Sequence, residues 1–397
     1  MKRRSSVTIL VLTGCVLACV LAEVGMRIYL SMPLPANRGS WIPDAAAGYR
    51  LRPQGPGEVD RSGADYHVNS LGFRDREHPL PKPPGRRRIL GIGDSFVFGE
   101  GRLSESFLRV AEAALVSRGD SADIVLMGLG GYGPDNYVGV LQGHGLGLTP
   151  DGVLLCFYVG NDVTGQQTRH AVRRGELYPA TSARPWLNLA RRSYLFGYLE
   201  RGLFFRLRAS RLVRDGAGDG AGRPSFTRKL ASFYYRQVQE NRLAVYLRSP
   251  TPELESLWRS AESSLLTFDR ICREAQIPWG MVLIPDEIQV DPAIRRTILE
   301  SRTDRGRYHI DEPQRRLGDF SARYDVPVLD LLPILREAHQ PDSSLYLPDD
   351  THWSPRGNRV AGQAVAAFVQ KLFPSKPARS RRPHGTHAGG ARPQTSE

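Results

Sequence analysis

The stretch from Arg88 to Gly99, Arg-Ile-Leu-Gly-Ile-Gly-Asp-Ser-Phe-Val-Phe-Gly, constrains this chain more than any other. Its first half is a short apolar run suited to a buried strand, and the run stops at Gly93-Asp94-Ser95. A serine hydroxyl is therefore presented where a parallel strand ends, the edge at which open α/β sheets hold their ligands. The next helix is expected around Ser104 to Ser106, which leaves Ser95 on a turn whose backbone N–H groups are free to face a ligand.

The same rhythm recurs along the chain. Further apolar strand candidates lie at Asp123 to Gly128, Gly152 to Val159, Trp279 to Ile284 and Val326 to Leu329. Helical patterns separate them: Leu254, Leu257, Trp258, Ala261, Leu265, Phe268, Ile271 and Cys272 share one face, and a helix from Pro355 to Leu372 opens with proline in its first turn. Strands alternating with helices predict an α/β fold with a parallel sheet covered on both faces.

Composition shifts divide the rest. Residues 1–30 begin with Lys2, Arg3 and Arg4 and continue as an apolar segment from Val7 to about Val24, which reads as an uncleaved signal anchor with its N-terminus inside. Leu12-Thr13-Gly14-Cys15 is similar to a bacterial lipobox, but the apolar run continues past Cys15. Either reading places the body of the protein outside the cytoplasm, at a bacterial cytoplasmic membrane. Residues 31–85 form a Pro- and Gly-rich extension in which Tyr66 to Arg74 suggests a short edge strand and turn. The main domain spans 86–373. It is interrupted over about 163–250 by an arginine- and aromatic-rich insertion, read as mostly helical and as a cap, an acceptor-binding surface, a membrane-facing patch or simply a small core of its own. The tail, 374–397, is polar and expected to be disordered.

The net charge of +13 suits an anionic membrane or polymer, yet no zinc-type cysteine spacing or helix-turn-helix pattern accompanies it, which argues against nucleic-acid binding. Cys156 and Cys272 fall in core patterns and imply no disulfide framework.

A serine is a weak nucleophile until a base takes its proton, an acid orients the base and donors await the oxyanion. Leu347-Pro348-Asp349-Asp350-Thr351-His352-Trp353-Ser354-Pro355 supplies an imidazole and two carboxylates in one loop before the last helix. After the second strand, Gly128-Leu129-Gly130-Gly131-Tyr132-Gly133 lets the backbone approach a ligand; Gly131 is the candidate oxyanion donor, with Gly128, Gly130 or Gly133 as alternatives. After the third strand, the Asn161 side chain of Val159-Gly160-Asn161-Asp162 offers another donor, or serves as a turn former. Asp94 and Asp162 are expected to hold loops by accepting backbone hydrogen bonds. His67, His144, His170, His309 and His339 have no motif around them.

These blocks, in this order over roughly residues 65–373, resemble the SGNH/GDSL hydrolase superfamily. The resemblance implies a flavodoxin-like three-layer α/β/α sandwich, nucleophile Ser95, base His352, and an oxyanion hole from the Ser95 N–H, Gly131 and Asn161. It also departs from the pattern. Much of the family has glycine two residues before the asparagine, where this chain has Val159. The commonest spacing makes Asp349 the acid, whereas the His-Trp variant of alginate O-acetyltransferase-like members makes it Asp350, and Asp350-Thr351-His352-Trp353 matches the latter. The implied activity is a serine esterase or O-acyl hydrolase working through an acyl-enzyme, first on acylated polysaccharide. An O-acetyltransferase and a non-catalytic polysaccharide-binding protein are the alternatives. No metal or organic cofactor is called for.

Overall fold

The computed structural model describes residues 2–32, 40–53, 67–165, 170–179, 185–200, 202, 242–300, 302–348 and 350–374. In chain order the strands are β1 (Trp41–Asp44), β2 (Gly48–Leu51), β3 (Arg87–Gly93), β4 (Ala122–Gly128), β5 (Gly152–Tyr158), β6 (His170–Arg173), β7 (Glu176–Pro179), β8 (Trp279–Ile284) and β9 (Val328–Asp330). Five of them form the central sheet in the order β4-β3-β5-β8-β9, all parallel. The chain thus lays strands to one side of β3 and then to the other, and a topological switch point opens between the carboxyl ends of β3 and β5.

Side chains alternate between the two faces of this sheet, as a doubly covered sheet requires. Leu90, Ile92, Val125 and Met127 join one core, which also buries the predicted face of the helix Pro252–Glu274. Ile89, Ile124 and Leu126 join the other, with the helices Phe107–Ser117 and Pro355–Leu372. Each large apolar side chain buried this way contributes about 1.5–3 kcal/mol. Cys156 and Cys272 are buried free thiols within these cores.

Several elements differ from expectation. A short helix, Ser95–Phe98, begins at the serine itself where a turn was predicted, because the Asp94 carboxylate caps it by accepting the Phe96 N–H at 2.9 Å. In the extension, β1 and β2 pair as an unpredicted hairpin. Of the expected edge strand and turn, the turn forms, closed by a Val68–Arg74 bridge in place of a strand and folded around the Asn69 side chain, which accepts the Leu71 and Phe73 N–H groups at 3.1 Å; Tyr66 lies outside the described residues. The insertion opens with a second hairpin, β6–β7, before the helix Pro185–Ala190. Most of its remainder, and the tail from 375, lie outside the described residues. The N-terminal helix runs Lys2–Ser31, and within it Thr8–Ser31 is long and apolar enough to cross a membrane.

The open edge of the sheet is covered by charge. The outward N–H groups of Ile124 and Leu126 on β4 donate to the carboxylates of Glu112 (2.7 Å) and Asp75 (2.8 Å). Behind them the buried His78 ring bridges Asp75 and Asp123, each at 2.9 Å. Burial alone lowers the His78 pKa, but hydrogen bonds and attraction from Asp123 and Asp75 outweigh it and raise it above the ordinary 6.5. A raised histidine pKa stabilises the fold fully below 6.5, and that contribution is lost as pH rises through the folded value. Chemical denaturation from pH 6 to pH 9 is therefore expected to show a decline in stability that His78→Gln flattens. A second prediction concerns Gly357, where an added Cβ would lie 2.1 Å from the Leu345 carbonyl. Gly357→Ala is expected to cost about 2 kcal/mol or more in the same measurement.

Candidate active site

Ser95, His352 and Asp350 come together over the carboxyl ends of β3 and β5. His352 Nε2 lies 2.7 Å from Ser95 Oγ, and His352 Nδ1 is hydrogen-bonded to Asp350 Oδ1. Asp350 Oδ1 also accepts the His352 backbone N–H at 3.0 Å, so one carboxylate sets both the backbone and the ring of the histidine. Asp349 lies outside the described residues.

The histidine loop is built for this placement. Leu347 N–H donates to His352 O at 2.8 Å and Ser354 N–H to Leu345 O at 2.9 Å, closing the loop on itself. Ser354 caps the last helix by accepting the Gly357 N–H at 3.2 Å. The Trp353 ring then packs edge-on against Phe96 (4.9 Å) and Phe107 (5.4 Å), while the Phe96 ring lies 5.1 Å from that of His352. The residue beside the serine thus forms part of the wall that holds the imidazole.

Asp94 is fully buried behind Ser95. Burial raises its carboxyl pKa, opposed by the hydrogen bond from Phe96 N–H, by the His352 charge and by the Asn161 side chain. That last contact orients the Asn161 amide with its NH₂ toward Asp94, since a carboxylate needs a donor. Asp162 accepts the Tyr158 N–H at 2.9 Å and the Tyr137 hydroxyl at 2.8 Å. Burial, then the nearby Asp94 charge, push its pKa well above the ordinary carboxylate value. Both acids accept backbone N–H groups, as their positions suggested.

The glycine turn runs beside the serine: a Cβ on Gly130 would lie 3.9 Å from that of Ser95. Gly131 has φ +82°, and a Cβ there would meet the Tyr49 hydroxyl at 3.0 Å and the His170 ring at 3.3 Å. Tyr49, from β2, donates to Gly130 O at 3.0 Å, and Asn136 Nδ2 donates to Ala47 O at 2.9 Å, so the first hairpin braces the turn. Gly128, Gly130 and Gly133 belong to the same turn, but only Gly131 combines this left-handed backbone with contacts from both hairpins. Ser95 opens a helix, so its N–H is among those without an intrahelical acceptor.

Two residues at the site carried no sequence motif. The Glu100 carboxylate stands 3.9 Å from His352 Nδ1, following Gly99 with its φ of +73°. His170 reaches Gly131 from β6, and its pKa is lowered by burial and then by Arg191. Ligand atoms of Glu100, Asp350 and His352 lie within 4.8 Å of one another. Both His352 nitrogens are already engaged, with Ser95 and Asp350, and Glu100 stands beside that hydrogen-bonded chain.

Residues 281–395 match the family described as "SGNH hydrolase-like domain, acetyltransferase AlgX". Among solved structures, the lipase/acylhydrolase from Enterococcus faecalis is similar at 15% identity over 74% of this chain and 100% of its own, with a TM-score of 0.38. The acetyl xylan esterase AlAXEase is similar at 11% identity over 71% and 99%, with a TM-score of 0.38. A member of the lipolytic G-D-S-L family from Veillonella parvula gives 11% identity over 72% and 100%, with a TM-score of 0.33. The comparison with curated proteins gave no match. Over residues 281–395 the chain is thus similar to an SGNH hydrolase-like domain, and the histidine loop within that stretch closes on the serine of a parallel α/β sheet.

Proposed function

We propose that this protein is an extracytoplasmic, membrane-anchored serine esterase or O-acyl hydrolase that carries the acyl group of its substrate on Ser95. The observation that carries the reading is the continuous hydrogen-bonded chain from Ser95 Oγ through His352 to Asp350, with 2.7 Å between the serine oxygen and the imidazole. Ser95 Oγ attacks the ester carbonyl carbon as its proton passes to His352 Nε2. Asp350 holds the ring tautomer and stabilises the imidazolium. The Ser95 N–H, the Gly131 N–H and the Asn161 amide receive the oxyanion. The carbon–oxygen bond to the alcohol then breaks, and His352 protonates the departing oxygen. In the second half His352 takes a proton from the incoming acceptor, whose oxygen attacks the acyl carbon; the bond to Ser95 Oγ then breaks and His352 returns the proton to that oxygen. The basic cluster before the apolar helix supports an inside N-terminus and an outward-facing domain.

With water as acceptor the reaction is hydrolysis. A second reading, with a polysaccharide hydroxyl as acceptor, is favoured by the match to the AlgX acetyltransferase domain and by the His352-Trp353 pair. Acylated polysaccharide is the substrate class common to both.

A fluorophosphonate is expected to label the wild-type protein and not Ser95→Ala. Absence of labelling in the wild type, or labelling that survives the substitution, overturns the covalent mechanism and favours a binding protein. Asp350→Asn is expected to lower turnover by roughly 10³–10⁴, and Asp349→Asn to leave it near wild type. Supplying an acetyl ester with and without oligosaccharide separates the acceptors. Acetylated oligosaccharide identifies a transferase, and free acetate alone identifies an esterase.

A further inference from the structure

We propose that residues 185–200 form an interfacial element seated in the headgroup region of the bilayer that the N-terminal helix enters, fixing the orientation of the catalytic domain above the membrane. The inference rests on reading Thr8–Ser31 as a membrane span.

A carboxylate in an apolar helix is costly at membrane depth unless donors surround it. Glu23 has such donors: Ser193 Oγ at 2.7 Å, the N–H groups of Tyr194 and Leu195 at 3.0 Å, and Arg27 at 2.8 Å. These bonds bring the Ser193 turn to the depth of Glu23, near the end of the helix. Arg27 also donates to the Arg192 carbonyl at 3.0 Å. From the neighbouring hairpin, Arg174 donates to Tyr29 O at 2.9 Å, with its guanidinium 4.0 Å over the Tyr29 ring.

The segment clamped in this way exposes large apolar side chains. Trp186 is 62% exposed, Leu189 66%, Tyr198 47% and Leu199 58%. Trp186 and Leu189 are three positions apart and share a helix face. Trp and Tyr suit the headgroup level, where an apolar ring and a polar edge are both solvated, and the exposed Arg192 beside them complements anionic lipid phosphates. A protein partner would also cover these side chains. Attachment to the membrane-entering end of the helix is what selects the bilayer.

The test uses the full chain reconstituted in phosphatidylethanolamine–phosphatidylglycerol bilayers, with and without brominated acyl chains. Of the five tryptophans, Trp258, Trp279 and Trp353 are buried in the protein. Brominated lipid is expected to quench the emission, Trp186→Phe to remove more than half of that quenching, and Trp41→Phe to leave it. Hydrolysis of a soluble ester is expected to be unchanged in Trp186→Phe. Quenching that is absent, or undiminished in Trp186→Phe, in a chain that resists carbonate extraction overturns the docking and leaves the anchor. Release of the chain by carbonate overturns both. Fluorophosphonate labelling of Ser95 reports on the acyl-enzyme independently of either result.

Discussion

A hydrogen bond between side chains 257 positions apart holds at 2.7 Å only if both backbones are fixed to one frame. Here the frame is the pair of helices on one face of the sheet. Phe107–Ser117 packs directly on Pro355–Leu372, and the two are joined at their first turns, where the Phe107 N–H donates to Asn358 Oδ1 at 3.1 Å. Asn358 in turn donates to the Trp353 and Ser354 carbonyls. His352 is thus braced from its own helix, while Ser95 is braced by the end of β3 and the Asp94 cap. Serine–imidazole geometry has a tolerance of about half an ångström, and rigid elements meet it where free loops would not.

The same frame has an electrostatic consequence. Asp94 and Asp162 lie fully within the protein behind the serine, and burial raises both pKa values. Two carboxyls sharing a dry region resist carrying two charges. Asp162 accepts the Tyr137 hydroxyl and the Tyr158 N–H, one on each carboxyl oxygen, and these bonds oppose the effect of burial.

The sheet was legible in the sequence because a doubly buried strand declares itself as a continuous apolar run. β3, β4, β5 and β8 fall within a residue of the predicted bounds. The loops bearing Ser95, Gly131, Asn161 and His352 were legible because they follow such runs or precede a proline-started helix. The β1–β2 and β6–β7 hairpins were not. Their strands are four residues long, too short for period-two patterning, and they are held by distant partners: Tyr49 on Tyr132, and the Trp41 N–H on the Gly175 carbonyl at 3.0 Å. His170 and Glu100 were invisible for the same reason, since their place at the site comes from tertiary packing. Adjacent Asp349 and Asp350 could be ranked only by family pattern; geometry adds that Asp350 meets the histidine through both ring and backbone.

Acceptor choice cannot reside in the serine–histidine pair, because the same imidazole deprotonates water or a sugar hydroxyl equally well. In the proposed reaction it falls to the groups beside the glycine turn, and these come from the two hairpins. β1–β2 brings the Tyr49 hydroxyl to Gly130, β6–β7 brings the His170 ring to Gly131, and the hairpins are joined to each other through Trp41 and Gly175. Burial and then Arg191 lower the His170 pKa, which favours the uncharged ring and so an acceptor nitrogen beside the turn. Arg174 ties the second hairpin to Tyr29, at the end of the N-terminal helix. The hairpin groups beside the glycine turn and the end of the N-terminal helix are therefore one connected structure, which in the proposed reading ties the position of the acceptor to the membrane.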